Sequence, residues 1–222
     1  MTEFTLVIGN KNYSSWSLRA WLALKHSGVP FEEIVIPLRQ AETQEKILRL
    51  SPSGKVPVLR HGDVGIWESL AICEYLAELF PDAGLWPEDR EARALARAIS
   101  AEMHAGFAAL RRHMPMNMRA EYPGADVAED VRRDINRIEA MWRDCRKRFG
   151  AGGDMLFGSF TIADAMFAPV ASRFKTHGVK LDDTAEAYVE AVMGLASVRE
   201  WMTAARNEPW IIPDLERGAE TA

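Results

Sequence analysis

Two stretches of this 222-residue chain carry residue types at spacings suited to chemistry. The first is Tyr13-Ser14-Ser15-Trp16-Ser17-Leu18-Arg19, where several hydroxyls sit at the start of an apolar-periodic segment. A hydroxyl there either caps a helix or donates to an anion held at the helix mouth. The second runs from Ser51 to Ser69. Pro57 stands at the head of a strand pattern and cannot donate a ladder hydrogen bond, which implies an edge, a bulge or a cis bond that frees a neighbouring backbone pair. Glu68-Ser69 then places a carboxylate and a hydroxyl at a helix start, whose unpaired N–H groups attract anions. The Val56 backbone and this helix mouth together are suited to a small zwitterionic peptide.

The elements that must position these residues follow from periodicity. Phe4 to Ile8 is a short apolar strand, and Ser14 to Ser17 cap a helix carrying Leu18, Trp21, Leu22 and Leu24. Gly28-Val29-Pro30 stops that helix, and Phe31 to Pro37 alternates as a strand parallel to the first. A short polar helix spans Ala41 to Leu50. Val56 to Leu59 and Val64 to Trp67 form an antiparallel pair around His61-Gly62-Asp63, and a helix runs from Ser69 to Phe80. The order is βαβαββα. Pro81 to Pro87 is rich in proline and glycine, and no convincing strand follows. One long helix is expected from Arg90 to Arg112, another from Asp126 to Phe149, then helices to Phe174, from Ala185 to Leu195 and from Val198 to Asn207. Thr161 with Asp164 reads as a capping box. The fold class is α+β: an α/β domain over 1–81, a linker over 82–88 and an all-helical domain over 89–222.

A net charge of −5 argues against a general nucleic-acid or acidic-membrane binder. No apolar run is long enough to span a bilayer, and no signal-peptide pattern opens the chain, so a cytoplasmic location is expected. Cys73 and Cys145, far apart in helical patterns, read as reduced thiols rather than a disulfide. The five histidines lack metal-ligand spacing, so no metal site is expected.

In this order the motifs resemble those of the cytosolic glutathione transferases, serine-type classes. Ser14-Ser15-Trp16-Ser17-Leu18-Arg19 is similar to their S-x-x-S-x-R opening, and Ser51 to Pro57 to their N-P-x-G-x-V-P segment with its cis proline. Glu68-Ser69-Leu70-Ala71-Ile72 matches their E-S-x-A-I helix start, and Gly158 to Asp164 their capping box. The resemblance implies a thioredoxin-like first domain, glutathione as cosubstrate, no metal, and a homodimer with no nucleic-acid or membrane partner. The implied activity is attack of the glutathione thiolate on small hydrophobic electrophiles. The alternatives are a glutathione-dependent isomerase or peroxidase of the same fold, or a non-catalytic binding or regulatory protein.

The chemistry is demanding. A free thiol has a pKa of about 8.5, and lowering it by about two units takes about 2.7 kcal/mol. A charge-assisted hydrogen bond of about 1.5–3 kcal/mol, with about 0.3–1 kcal/mol from a helix dipole, suffices. The resemblance assigns that donor to Ser14, with Ser15, Ser17 and Tyr13 as alternatives. It assigns glutathione binding to the Val56 backbone exposed by Pro57, to Ser69 for the γ-glutamyl carboxylate and to Glu68 for its ammonium or the cap. Arg39, Gln40 and Lys55 are candidates for the glycine carboxylate. The electrophile pocket is expected near Trp16, Met103, His104, Phe107, Ala108, Arg111, Met114 and Met116. Trp16 departs from the zeta-like isomerases, which carry a cysteine there, and its indole would narrow the mouth of the site.

Overall fold

The computed structural model describes residues 3–216 except 123, 125 and 126. A four-stranded sheet has the order β2-β1-β3-β4. β1 (Phe4–Ile8) and β2 (Phe31–Val35) run parallel, with Phe4 opposite Phe31 and Ile8 opposite Val35. β3 (Val58–His61) is antiparallel to β1, placing Leu59 opposite Leu6. β4 (Val64–Trp67) closes an antiparallel hairpin on β3. The period of two along β1 splits its side chains between faces. Phe4, Leu6 and Ile8 enter the main core, while Val7 joins Ile36, Ile47 and Val58 on the far side. A strand buried on both faces reads as a near-continuous apolar run, and F-T-L-V-I is one, with the partly buried Thr5 its single polar residue.

Helix α1 (Ser15–His26) makes the crossover between the parallel strands, and α2 (Thr43–Leu48) and α3 (Ser69–Leu79) complete the first unit. Nearly all of α1 is buried, because it packs between α3 and the central helix α7 (Ile162–Thr176) of the second unit. The remaining helices are α4 (Arg90–Ala105), α5 (Ala108–His113), α6 (Glu129–Phe149), α8 (Asp183–Gly194) and α9 (Ala196–Asn207). One apolar core is continuous across both units.

Three expectations need correction. The helix expected from Arg90 to Arg112 is two helices. Gly106 turns out of α4 into extended backbone, where a Cβ would meet the Glu102 carbonyl oxygen at 2.8 Å, and Phe107 follows at φ +61°. β3 starts at Val58, so Val56 and the cis-bonded Pro57 precede the ladder instead of opening it. α2 is shorter than Ala41 to Leu50, and of the helix start placed at Asp126, that residue lies outside the described ones. The capping box at Thr161 and Asp164 is present, and both cysteines are buried and unpaired.

Candidate functional site

A cavity of about 250 Å³ opens at the end of the sheet where β3 and β4 lead into α3. Trp16, Ser53, Lys55, Val56, Pro57, Glu68 and Ser69 line it. Residues from three separate stretches of sequence therefore meet there. The chain turns into α3 through Glu68, which holds φ +67° and ψ 123°, a conformation rarely taken by a residue with a Cβ and one that costs about 1–3 kcal/mol. No side chain caps α3. Ser69, the first residue of that helix, is 1 % exposed, and its hydroxyl has no hydrogen-bond partner among the described residues. A helix start with free N–H groups and an unpartnered hydroxyl is an acceptor-seeking surface. The Glu68 carboxylate reaches His104 of α4, 3.5 Å away, which makes one contact between the two units at the cavity edge. Burial holds the His104 imidazole below its usual pKa, opposed by Glu68.

Ser14 lies nearby in sequence but does not line this cavity; it is the N-cap of α1 and nearly buried. Its Oγ accepts from the Ser17 N–H at 3.4 Å and sits 2.7 Å from the Ser17 hydroxyl. The Gly9 N–H in turn donates to Ser17 Oγ at 3.0 Å. With Ser17 donating to Ser14, the single Ser14 proton is left free for a further acceptor. Ser15 is also nearly buried, with its N–H given to the Tyr13 carbonyl at 3.1 Å. The Tyr13 hydroxyl is engaged elsewhere. It meets the Glu216 carboxylate, receives Arg119 Nη2 at 2.9 Å and receives the Ile212 N–H at 3.3 Å. It anchors the C-terminal segment rather than the cavity.

Of the three glycine-carboxylate candidates only Lys55 lies at the cavity. Arg39 pairs with Asp214, and Gln40 lines a separate surface depression with Pro37 and Trp210. Among the electrophile candidates, Trp16 is in the cavity wall while Met103 is fully buried core. Phe107 is the left-handed residue between α4 and α5 and is 8 % exposed. Arg111 closes the end of α4, donating to the Gly106 carbonyl at 2.9 Å and to that of Met103.

Arg19, in sequence only the last position of the helix-start motif, is fully buried, and both its terminal nitrogens lack partners among the described residues. Its guanidinium lies 4.5 Å from the Trp16 ring centroid, and that of Arg111 lies 4.7 Å from it. Arg173, also buried, gives its donors to the carbonyls of Met114 and Pro169. Burial and mutual repulsion push Arg19 well below its ordinary pKa, and burial with Arg111 pushes Arg173 down to about 9. A sequence signal existed: an arginine inside an otherwise apolar helical run, Leu18 to Leu24.

Profiles of two domains match this chain: the N-terminal domain of glutathione S-transferase over residues 13–79 and its C-terminal domain over residues 125–204. A probable maleylacetoacetate isomerase of Caenorhabditis elegans is 32% identical over 72% of this chain and 75% of its own length. This chain belongs to the glutathione S-transferase family. Glutathione S-transferase 1 of Dianthus caryophyllus is 28% identical over 71% of this chain and 74% of its own. A glutathione transferase homologue from Burkholderia, crystallised with bound glutathione, superposes with a TM-score of 0.70 at 27% identity, covering 91% of this chain and 97% of that one. The α+β architecture, a thioredoxin-like mixed sheet followed by a helical unit, is the family's.

Proposed function

We propose that this family member binds glutathione at the α3 cavity and transfers its thiolate to a small electrophile. The observation that carries the reading is Ser69: a hydroxyl almost wholly out of water, without a partner, at the uncapped start of a helix. A buried hydroxyl left unpaired costs about 1–3 kcal/mol, so a ligand that supplies an acceptor recovers that loss. The α-carboxylate of a γ-glutamyl group supplies it, with the α3 N–H groups, while Glu68 takes the ammonium. Val56, ahead of the β3 ladder, offers main-chain groups to the cysteinyl portion, and Lys55 offers a cation to the glycine carboxylate. Ser14 donates its free proton to the thiolate, assisted by the α1 N-terminus; Ser15 is the nearest substitute, and the Tyr13 hydroxyl is occupied. Trp16, with the Arg111 guanidinium over its ring, borders the second-substrate side. A cytoplasmic homodimer accords with the family.

A specific observation favours a second reading. Among the described residues the Arg19, Arg111 and Arg173 guanidiniums make their hydrogen bonds to main-chain carbonyls and none to a carboxylate. Positive potential beside Trp16 suits an acidic second substrate, as a maleylacetoacetate-type isomerase would require. The absence of a cysteine at Trp16 weighs against it. Assays with a chlorinated aromatic, a hydroperoxide and a maleyl-type acid, each with and without glutathione, separate the readings. A chain that neither binds glutathione–agarose nor turns over any of the three is not a catalyst of this kind.

A further inference from the structure

The turn that delivers Ser14 to α1 is polar in sequence and buried in the fold. Asn10 and Asn12 are fully out of water, and Lys11 is nearly so. Connecting segments usually stay at the surface, and a buried one must have its main-chain groups satisfied from elsewhere. Asn10 closes the turn locally, its carbonyl accepting from the Tyr13 and Ser14 N–H groups at 3.2 and 2.8 Å. The main-chain groups of Lys11 and Asn12 are all taken by the second unit. The Lys11 N–H donates to Glu208 Oε1 at 2.7 Å, and the Asn12 N–H donates to Glu208 Oε2 at 3.1 Å. The Lys11 carbonyl accepts from the Trp201 indole at 2.8 Å, and the Asn12 carbonyl accepts from the Met118 N–H at 3.3 Å.

Among these contacts the Glu208 carboxylate gives the strongest kind. It offers one oxygen to each of two successive N–H groups, and a charge-assisted hydrogen bond is about twice as strong as a neutral one. Glu208 is the residue at which the chain leaves α9 in extended backbone, and Arg119 pins its carbonyl at 2.8 Å. The neighbouring cations are engaged otherwise: the Lys11 ammonium pairs with Glu33 at 2.6 Å, and the Arg119 guanidinium donates to carbonyls and to the Tyr13 hydroxyl. Burial pushes the Glu208 carboxyl up, opposed by the N–H groups of Lys11 and Asn12 and by the charges of Lys11 and Arg119. A tie of this kind adds little to holding the two units together, because one apolar core already runs through both. What it does fix is the turn. Tyr13 and Ser14 follow Asn12 inside the same closed loop, and a misplacement of about 1 Å can cost about 10²-fold in rate.

We propose that Glu208 is a positioning residue for Ser14. Its carboxylate, carried on the second unit, holds the Lys11 and Asn12 N–H groups and so sets where the Ser14 hydroxyl meets the glutathione thiolate. The proposal rests on Ser14 being the donor to that thiolate. Glu208 does not line the α3 cavity and acts only through the turn.

The test is a pH titration of the ultraviolet thiolate absorbance of glutathione bound to the full chain, with calorimetry for glutathione affinity. Glu208→Gln keeps one acceptor and sets an amide N–H against the other donor. It should raise the thiol pKa by about one unit and lower kcat/KM for conjugation about tenfold, with glutathione affinity within about twofold of wild type. Glu208→Asp keeps the charge but is one methylene short; it should shift the same way and replaces the first variant if that one does not fold. Tyr13→Phe frees the tail from the same turn but leaves the bonds at Lys11 and Asn12, so its thiol pKa should be that of wild type. Ser14→Ala should raise the thiol pKa, and adding Glu208→Gln to it should raise it no further, because both act on one hydrogen bond. A wild-type thiol pKa in the Glu208 variants, or a double variant whose shift is the sum of the two, overturns the role of Glu208 and leaves that of Ser14 standing. A wild-type thiol pKa in Ser14→Ala, or a wild type that binds no glutathione, overturns the Ser14 reading and the positioning role with it.

Discussion

Two helix starts in this molecule are built from the same residue types and left in opposite states. At the start of α7 every valence is filled. Asp164 accepts from the Leu156 and Thr161 N–H groups at 3.1 and 2.8 Å and from the hydroxyls of Thr161 and Tyr188, both at 3.0 Å. At the start of α3 the cap is left open: Glu68 turns its carboxylate to His104 instead of capping, its backbone is strained, and the Ser69 hydroxyl has no partner among the described residues. Polar groups that serve stability are saturated by the protein, whereas those that serve a ligand are held open at some cost in stability.

That contrast can be broken in order of size. Asp164→Ala should lower the unfolding free energy by about 3–4 kcal/mol, since it strands buried donors from two main-chain and two side-chain partners; urea denaturation reads this directly. A loss under about 1 kcal/mol would mean that the α7 start is not the saturated partner in the comparison. Ser14→Ala should reduce kcat/KM for conjugation by about 10- to 150-fold, from the loss of about 1.5–3 kcal/mol of thiolate stabilisation. Its pH–rate profile should move to higher pH, which the loss of a mere helix cap would not cause.

Tyr13→Phe sharpens the assignment from the other side. It removes a hydroxyl bonded to Glu216, Arg119 and Ile212, so stability should fall by about 1–2 kcal/mol while conjugation is unchanged. Activity lost with the fold intact would return Tyr13 to the thiol. The smallest effect concerns His104 beside Glu68. Its folded pKa lies below the usual imidazole value of about 6.5, so its contribution is complete above that pH and is lost as pH falls, because the unfolded chain takes the proton first. His104→Gln should flatten the acid limb of melting temperature against pH, measured from about pH 7 to 5.

Much of this was legible in the sequence because local chemistry dictates it. The Thr161/Asp164 box, the cis bond at Pro57 and the entry to α3 at Glu68-Ser69 are each written within a few residues, and each is present. What the sequence concealed depends on partners distant in the chain. Tyr13 looked free until the segment around Ile212 and Glu216 was seen to lie on it. Gln40 and Arg39 looked equivalent to Lys55 until the fold carried them to another face. Met103 and Phe107 read as pocket residues by order along a helix, and the fold buries both, Met103 on the inner face of α4 and Phe107 just past the break at Gly106. Arg111 read as a pocket residue, and its guanidinium also closes the end of α4. Nor could one dimension show that Arg19 and Arg111 lie over the same indole.

The central claim is that the open valences at α3 await glutathione. It is tested most directly by titration calorimetry of glutathione into wild type and Ser69→Ala, with urea denaturation of the same two proteins. The account predicts that Ser69→Ala binds glutathione about 10- to 150-fold more weakly while its unfolding free energy is unchanged or slightly raised, since an unpartnered buried hydroxyl has been removed. Equal glutathione affinity in the two proteins, or a variant that is destabilised like Asp164→Ala, would contradict it.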